Sequence, residues 1–239
     1  VIELRVDEPM IDLHLFRNWL FSVNLVTGFL TFVALAGTIL LLPFYLQNVR
    51  GLDVQAVGLM LAIVPIALGV SAPFSGSLSD RIGSRPVTLA GLAVLFVGYL
   101  SVSTLNVDTS LLGYIVRLLP IGLGMGIFQS PNNSAIMGAV PKRTLGVASS
   151  LMAESRTLGS VVGVAILGAI WATRALTYNG TPIEGGPTNA SISVQVSAMQ
   201  DTFLASAVMV FVALLMAVWA YLSERRAKAK AATPEPAAV

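Results

Sequence analysis

Polar side chains set inside long apolar stretches are the residues of this 239-residue chain that could do chemistry. Glu154 and Arg156 stand about eight and ten residues into one such stretch, and Arg117 stands about six residues into the one before. An Arg or Asp at the centre of a membrane helix costs about 2.5–3.5 kcal/mol on insertion scales, so such a residue faces a cavity or a partner. Arg156 is the deepest and is expected to do so. Glu154 lies two positions away, about 200° round a helix, so the two cannot pair with each other. Arg117 is open to two readings, a side chain snorkelling to the nearer interface or a functional cation. Gln129, Asn132 and Asn133 surround Pro131 and reach the depth of Glu154 and Arg156. They line a polar cavity, or they join helices by amide hydrogen bonds worth about 1 kcal/mol each. With no cysteine and the single histidine His14, the chain offers neither a thiol nucleophile nor a His/Cys metal cluster.

A second polar group is Gly76-Ser-Leu-Ser-Asp80-Arg81-Ile-Gly83-Ser-Arg85, which separates two apolar runs. Gly76 and Gly83 suit close packing and a tight turn. The arginines alone would serve as a topological signal, whereas Asp80 and the glycines ask for a further role.

The elements that must hold these residues follow from composition. The chain is 55% hydrophobic and only 11% charged, against about 25% charged in soluble domains, which marks a polytopic membrane protein. About 20 helical residues cross a bilayer, and six runs are long enough: about 22–46, 54–77, 86–105, 111–138, 146–172 and 201–223. Pro65 predicts a kink in the second. Gly122, Gly124 and Gly126 thin the fourth, and Ser155, Gly159 and Gly163 form a small-residue face on the fifth. Residues 1–20 read as a lead-in whose amphipathic part, with His14, lies at the membrane surface, Trp19 and Phe21 suiting the interface. Residues 173–200 read as a polar surface loop, and 224–239 as a disordered tail. Arg5, Arg17, Arg81, Arg85, Lys142, Arg143, Arg225, Arg226, Lys228 and Lys230 fall on one side of the membrane and only Arg50 and Arg174 on the other. The positive-inside bias therefore predicts both termini in the cytoplasm. A polar start without Met predicts a piece of a longer protein, and the low net charge of +2 argues against nucleic-acid binding.

Together these stretches resemble the major facilitator superfamily. Gly76-x-x-x-Asp80-Arg81-x-Gly83-x-Arg85 is similar to its motif A, found between the second and third helices of a six-helix half. The runs Gly122-Leu-Gly-Met-Gly-Ile-Phe-Gln-Ser-Pro-Asn-Asn-Ser and Arg156-Thr-Leu-Gly159 resemble the fourteen-helix drug:proton antiporters of the EmrB/QacA type. Ile11-Asp-Leu-His-Leu-Phe-Arg-Asn18 resembles the lead-in to that family's C-terminal half. The resemblance implies an all-α integral membrane fold, a six-helix bundle corresponding to one half of such a transporter. It further implies proton-coupled multidrug efflux by alternating access in a bacterial cell membrane, with no enzyme activity, cofactor or metal. The implied partners are lipid, protons, a small amphipathic or cationic drug-like substrate, and an N-terminal half absent from these 239 residues. Motif A implies a gate in which Asp80 pairs with Arg81, Arg85 or a neighbouring helix N-terminus. Arg117 is similar to the arginine of motif B, with a spacing to Gly122 one residue longer. The alternative is a truncated or accessory six-helix membrane protein without transport activity of its own.

Overall fold

The computed structural model describes the backbone of residues 13–183 and 185–231 and the side chains of 15–183 and 185–226. Among these residues the regular elements are all helical, and six helical stretches are long and apolar enough to cross a membrane. The N-terminal lead-in before Leu13, the His14 side chain and residues 232–239 lie outside the described residues.

After a single 3-10 stretch, Leu13–Arg17, helix α1 covers Trp19–Phe44 and runs into a π-helical turn, Tyr45–Val49. Asn18 starts α1: its side chain accepts from the Leu20 and Phe21 N–H groups, and its Nδ2 donates to the Ala139 carbonyl at 2.6 Å. That one side chain caps a helix and ties it to the end of another. Phe21, expected at the interface, is instead fully buried against Leu15, Leu25, Ile136 and Ala148. Trp19 does sit on the surface, edge-on to Trp219 at 4.3 Å.

The second span is two helices, α2 (Val54–Leu61) and α3 (Ile63–Ile82), broken at Ala62. Pro65 is the cause. It has no N–H to give the Leu61 carbonyl, so the ladder fails one turn before the proline. Helix α4 covers Ser84–Val102, and α5 covers Leu111–Gly138 without interruption at Pro120 or Pro131. Helix α6 covers Leu145–Asn179, and α7 covers Ile192–Ala231.

The last two helices correct two expectations. The loop between them is short, because residues 173–179 continue α6 as far as Gly180, which closes it in a left-handed conformation. Residues 192–200 already belong to α7 and bury Val196, Ala198 and Met199. At the other end, Glu224 and the alternating Ala and Lys beyond it extend α7 to Ala231 where a tail was expected. Those residues are good helix formers, and composition cannot tell a solvated tail from a helix leaving the bilayer.

The packing defines two layers. Helices α3, α5, α1 and α6 stand side by side in that order, while α4 packs on α5 and α7, and α7 packs on α1 and α6. Thus α4 and α7 cover one face of the row, and α1 and α5 hold its centre. Close approach is made where glycines remove side chains. A Cβ on Gly163 would sit 2.5 Å from the Val33 carbonyl oxygen, one on Gly159 2.8 Å from that of Phe29, and one on Gly122 2.6 Å from that of Val64. Gly124 faces the other way, onto the Leu95 backbone of α4, and Gly126 onto Leu68 of α3. Ser155 Oγ donates to the Leu25 carbonyl at 3.4 Å. The small residues of spans four and five are therefore helix–helix seams.

Candidate functional site: a polar recess between three helices

At the end of the bundle that carries Arg17, Arg81, Arg85, Lys142 and Arg225, here the basic end, α3 turns into α4 through Gly83. Its φ of +90° is a conformation side-chain-bearing residues rarely adopt. Gly76, about two turns earlier, leaves room for Ser130, whose Oγ would lie 3.1 Å from a Cβ there. The charges of this stretch are not arranged as expected. Asp80 is exposed and has no hydrogen-bond or ion-pair partner among the described residues. Arg85 points away from it: Nε bonds Glu224 of α7 at 2.9 Å, and Nη1 donates to Asn24 Oδ1 of α1 at 2.8 Å. Asp80 follows α3 outward, whereas Arg85, past the turn, reaches into the bundle.

This cluster floors a cavity of about 500 Å³ bounded by the ends of α1, α3, α5 and α7. It also continues inward. Asn132 Nδ2 donates to the backbone carbonyl of Asn24 at 3.4 Å. The next side chain, Asn133, accepts from Arg156 Nη2 at 2.6 Å. Glu224, Arg85, Asn24 and Asn132 thus connect α7, α4, α1 and α5 in series, and Asn133 with Arg156 adds α6.

Arg156 rises from α6 and crosses α1 to reach α5. Its guanidinium lies over the Phe32 ring, 5.6 Å from the centroid, a cation–π placement. Beneath it, a Cβ on Gly28 would stand in ordinary contact with Asn132 Nδ2, at 3.5 Å. Around the guanidinium, Gln129, Asn132, Asn133 and Ser155 alternate with Phe32, Phe128 and Met152. None of the lining comes from α4 or α7, so the recess belongs to the uncovered face. Its void is about 10 Å³, at the limit of a single water. One buried group there is unsatisfied: Asn132, 3% exposed, has no donor for its Oδ1.

Of the residues singled out from sequence, Gln129, Asn132, Asn133 and Arg156 come together here. Glu154 does not. It stands exposed on the outward side of α6, in line with Leu158 and Val161. Arg117 is at the far end of the bundle, with Nε bonding Thr104 Oγ1 at 3.0 Å and Nη1 donating to the Gly113 carbonyl at 3.1 Å. It ties the start of α5 to the loop after α4. Sequence reasoning missed Asn24, Phe32, Gly28 and Glu224. Asn24 alone carried a signal, as an amide inside an apolar span; the other three acquire their place only from packing.

A second opening on the same face lies toward the far end, an apolar cleft of about 310 Å³ between α1 and the broken second span. Leu35, Thr38, Ile39 and Leu42 line it from α1, and Leu61, Val64, Pro65 and Leu68 from α2 and α3.

A polar recess and an apolar cleft thus open on one face of a six-span bundle. Known proteins similar to this chain share that membrane character. A family model described as Major Facilitator Superfamily matches residues 5–164. The riboflavin transporter RibZ of Clostridioides difficile is 30% identical over 217 residues, covering 91% of this chain and 46% of that protein. The multidrug resistance protein Stp of Mycobacterium tuberculosis is 36% identical over 171 residues, 72% of this chain and 32% of its own length. The multidrug transporter protein MdtP of Bacillus subtilis is 30% identical over 207 residues, 84% of this chain and 38% of its own. The chain spans less than half the length of these relatives. With the family model covering most of the chain and six helices long and apolar enough to cross a membrane, the chain belongs to the Major Facilitator Superfamily, a multi-pass membrane transporter family.

Proposed function

We propose that this bundle is the C-terminal half of a proton-coupled efflux antiporter of the fourteen-helix EmrB/QacA type, exporting small amphipathic compounds by alternating access. The observation that carries the reading is the recess around Arg156, a fixed cation among amides and aromatic rings on the one face that α4 and α7 leave open. A second six-helix bundle against that face would complete a central site near the membrane midplane, as paired repeats do in secondary transporters. Relatives named for multidrug resistance, lincomycin resistance and riboflavin transport support a small organic cargo. Relatives from bacteria support a bacterial cell membrane, with the basic end in the cytoplasm and both termini there.

In this reading the stretch 76–85 acts at the cytoplasmic gate. Arg85 holds α4 to α7 and α1 within this bundle, while the unpaired carboxylate of Asp80 awaits a helix N-terminus or cation of the opposing bundle. We assign the uptake and release of the coupling proton to Glu154, whose exposure on α6 supports that reading. The test is transport in proteoliposomes by the full protein that contains this bundle. Dye movement is expected only with an imposed pH gradient, and Asp80→Asn is expected to reduce it at least tenfold at equal incorporation. Dye movement indifferent to the gradient would overturn proton coupling, and wild-type rates in Asp80→Asn would overturn the gate.

A further inference from the structure

The face that carries the recess also orients a substrate and selects its chemistry, an inference that rests on the transport reading above. Gly28, Phe32, Leu35 and Ile39 lie at helical spacing of four, three and four, one stripe along the open side of α1. The stripe joins the Arg156 recess at one end to the apolar cleft beneath Ile39 at the other. At 1.5 Å per residue, Gly28 to Ile39 spans about 16 Å, the length of a three-ring aromatic with its substituents. The ends of this track differ in kind. The recess offers a guanidinium, whose donors are fixed in a planar fork, and the free, buried acceptor of Asn132. The cleft offers almost only carbon. Among the described residues no Asp or Glu lines either opening; Glu154 faces outward, Asp201 is bound to Arg174 at the far end, and Asp80 and Glu224 stay at the basic end.

We infer that the substrate is an elongated amphiphile with an anionic or carbonyl oxygen for Arg156, an adjacent N–H or O–H for Asn132 Oδ1, and an apolar body laid along α1 into the cleft. This narrows the amphipathic-or-cationic class implied by the sequence to its acceptor-bearing members. A lipophilic cation meets a like charge in the recess and no carboxylate to offset it. Arg156 lies against Asn133 and Phe32 and occupies the recess itself, which keeps the void small. A carboxylate oxygen takes the place of the neutral Asn133 amide because both partners of the new bond carry charge.

Fluorescein and rhodamine 123 share a xanthene ring system and differ in sign of charge, so they separate these cases. Binding of each to the full protein in detergent is followed by fluorescence polarisation, and export of each in proteoliposomes. Fluorescein is expected to bind tighter than rhodamine 123. Arg156→Gln is expected to weaken fluorescein about tenfold or more and to leave rhodamine 123 unchanged or tighter, with Arg156→Lys in between. Tighter binding of rhodamine 123 by the unaltered protein overturns the inference, and so does an equal loss of both probes in Arg156→Gln. The comparison of probes on the unaltered protein needs no variant to fold. Fluorescein exported at equal rates by every variant would overturn the selection while leaving transport standing. Fluorescein bound through Arg156 but never moved would leave the selection and overturn transport.

Discussion

Arg156 is half-buried, and its charge is offset by nothing of opposite sign among the described residues. A guanidinium remains protonated at any physiological pH, so its stabilisation comes from the Asn133 oxygen at 2.6 Å and the Phe32 ring. Its neighbour Asn132 is the opposite case. It is buried with one acceptor unmet and one long bond, 3.4 Å, to the Asn24 carbonyl. An unsatisfied buried polar atom costs about 1–3 kcal/mol, and a site that keeps one gives up stability for recognition. Asn132→Leu, nearly isosteric, is accordingly expected to raise thermal stability in detergent by several degrees while lowering the affinity for acceptor–donor substrates. A fall in stability would mean that Asn132 serves only to join α1 and α5. Arg117 belongs to another category. Its bonds to Thr104 and Gly113 satisfy it at the far end of the bundle, away from the recess.

At the scale of helices, glycine seams and a chain of polar groups divide the work. Seams set distances: α6 lies on α1 because Gly159 and Gly163 admit the Phe29 and Val33 carbonyls, and α5 lies on α3 and α4 because Gly122, Gly124 and Gly126 admit both. Only such distances let a guanidinium on α6 reach across α1 to α5. The obstruction at Gly163 is backbone, which cannot swing aside, so Gly163→Ala is expected to cost about 1–3 kcal/mol. Gly69 sits in α3 with nothing within 4 Å of where a Cβ would stand, so Gly69→Ala is expected to be neutral or to add up to about 1 kcal/mol through helix propensity. Unfolding of the two variants in parallel checks the pair; equal effects would remove the seam as the cause. The polar chain from Glu224 through Arg85, Asn24 and Asn132 runs across these seams. It places Arg85 and the turn at Gly83 one residue, Asn24, away from the recess.

At the scale of the whole bundle, the flanking helices carry apolar surface without cover. Ile66, Val70, Phe74 and Leu78 form an exposed stripe on α3, and Leu158 and Val161 another on α6. Either lipid or a second bundle satisfies such a surface, but lipid does not satisfy Glu154 or Asp80 beside it. These 239 residues contain no cysteine, so an introduced one is the single thiol among them. The single variants Lys142→Cys and Thr181→Cys are expected to react with a membrane-impermeant maleimide from opposite sides of the cell membrane, Lys142→Cys only after permeabilisation. Labelling of Lys142→Cys in intact cells would invert the orientation. Protection of Val161→Cys in the full protein is the outcome expected from the proposed second bundle, and free labelling of it from the aqueous phase would count against that bundle.

The class of the molecule was legible in the chain because hydropathy and length are local properties. Six apolar runs, the turn at Gly83, the discontinuity near Pro65 and the small-residue faces all follow from neighbours in sequence, and so does the family resemblance. Helix ends were less legible: residues 192–200 and 224–231 mix polar residues with apolar ones and alanine and so read as loop and tail, yet they are helical, held by the packing of Val196, Ala198 and Met199 and by the ion pair of Glu224 with Arg85. The amides and Arg156 could be grouped by depth, since two helices joined by a short loop place residues at matching heights. What depth cannot convey is azimuth. Which way Arg156, Glu154, Asp80 and Arg85 turn depends on which helices flank them, and the order α3, α5, α1, α6 exists only once the chain is folded. That order sent Arg156 over Phe32 to Asn133, left Glu154 and Asp80 outside, and gave Arg85 to Glu224, a residue 139 positions away.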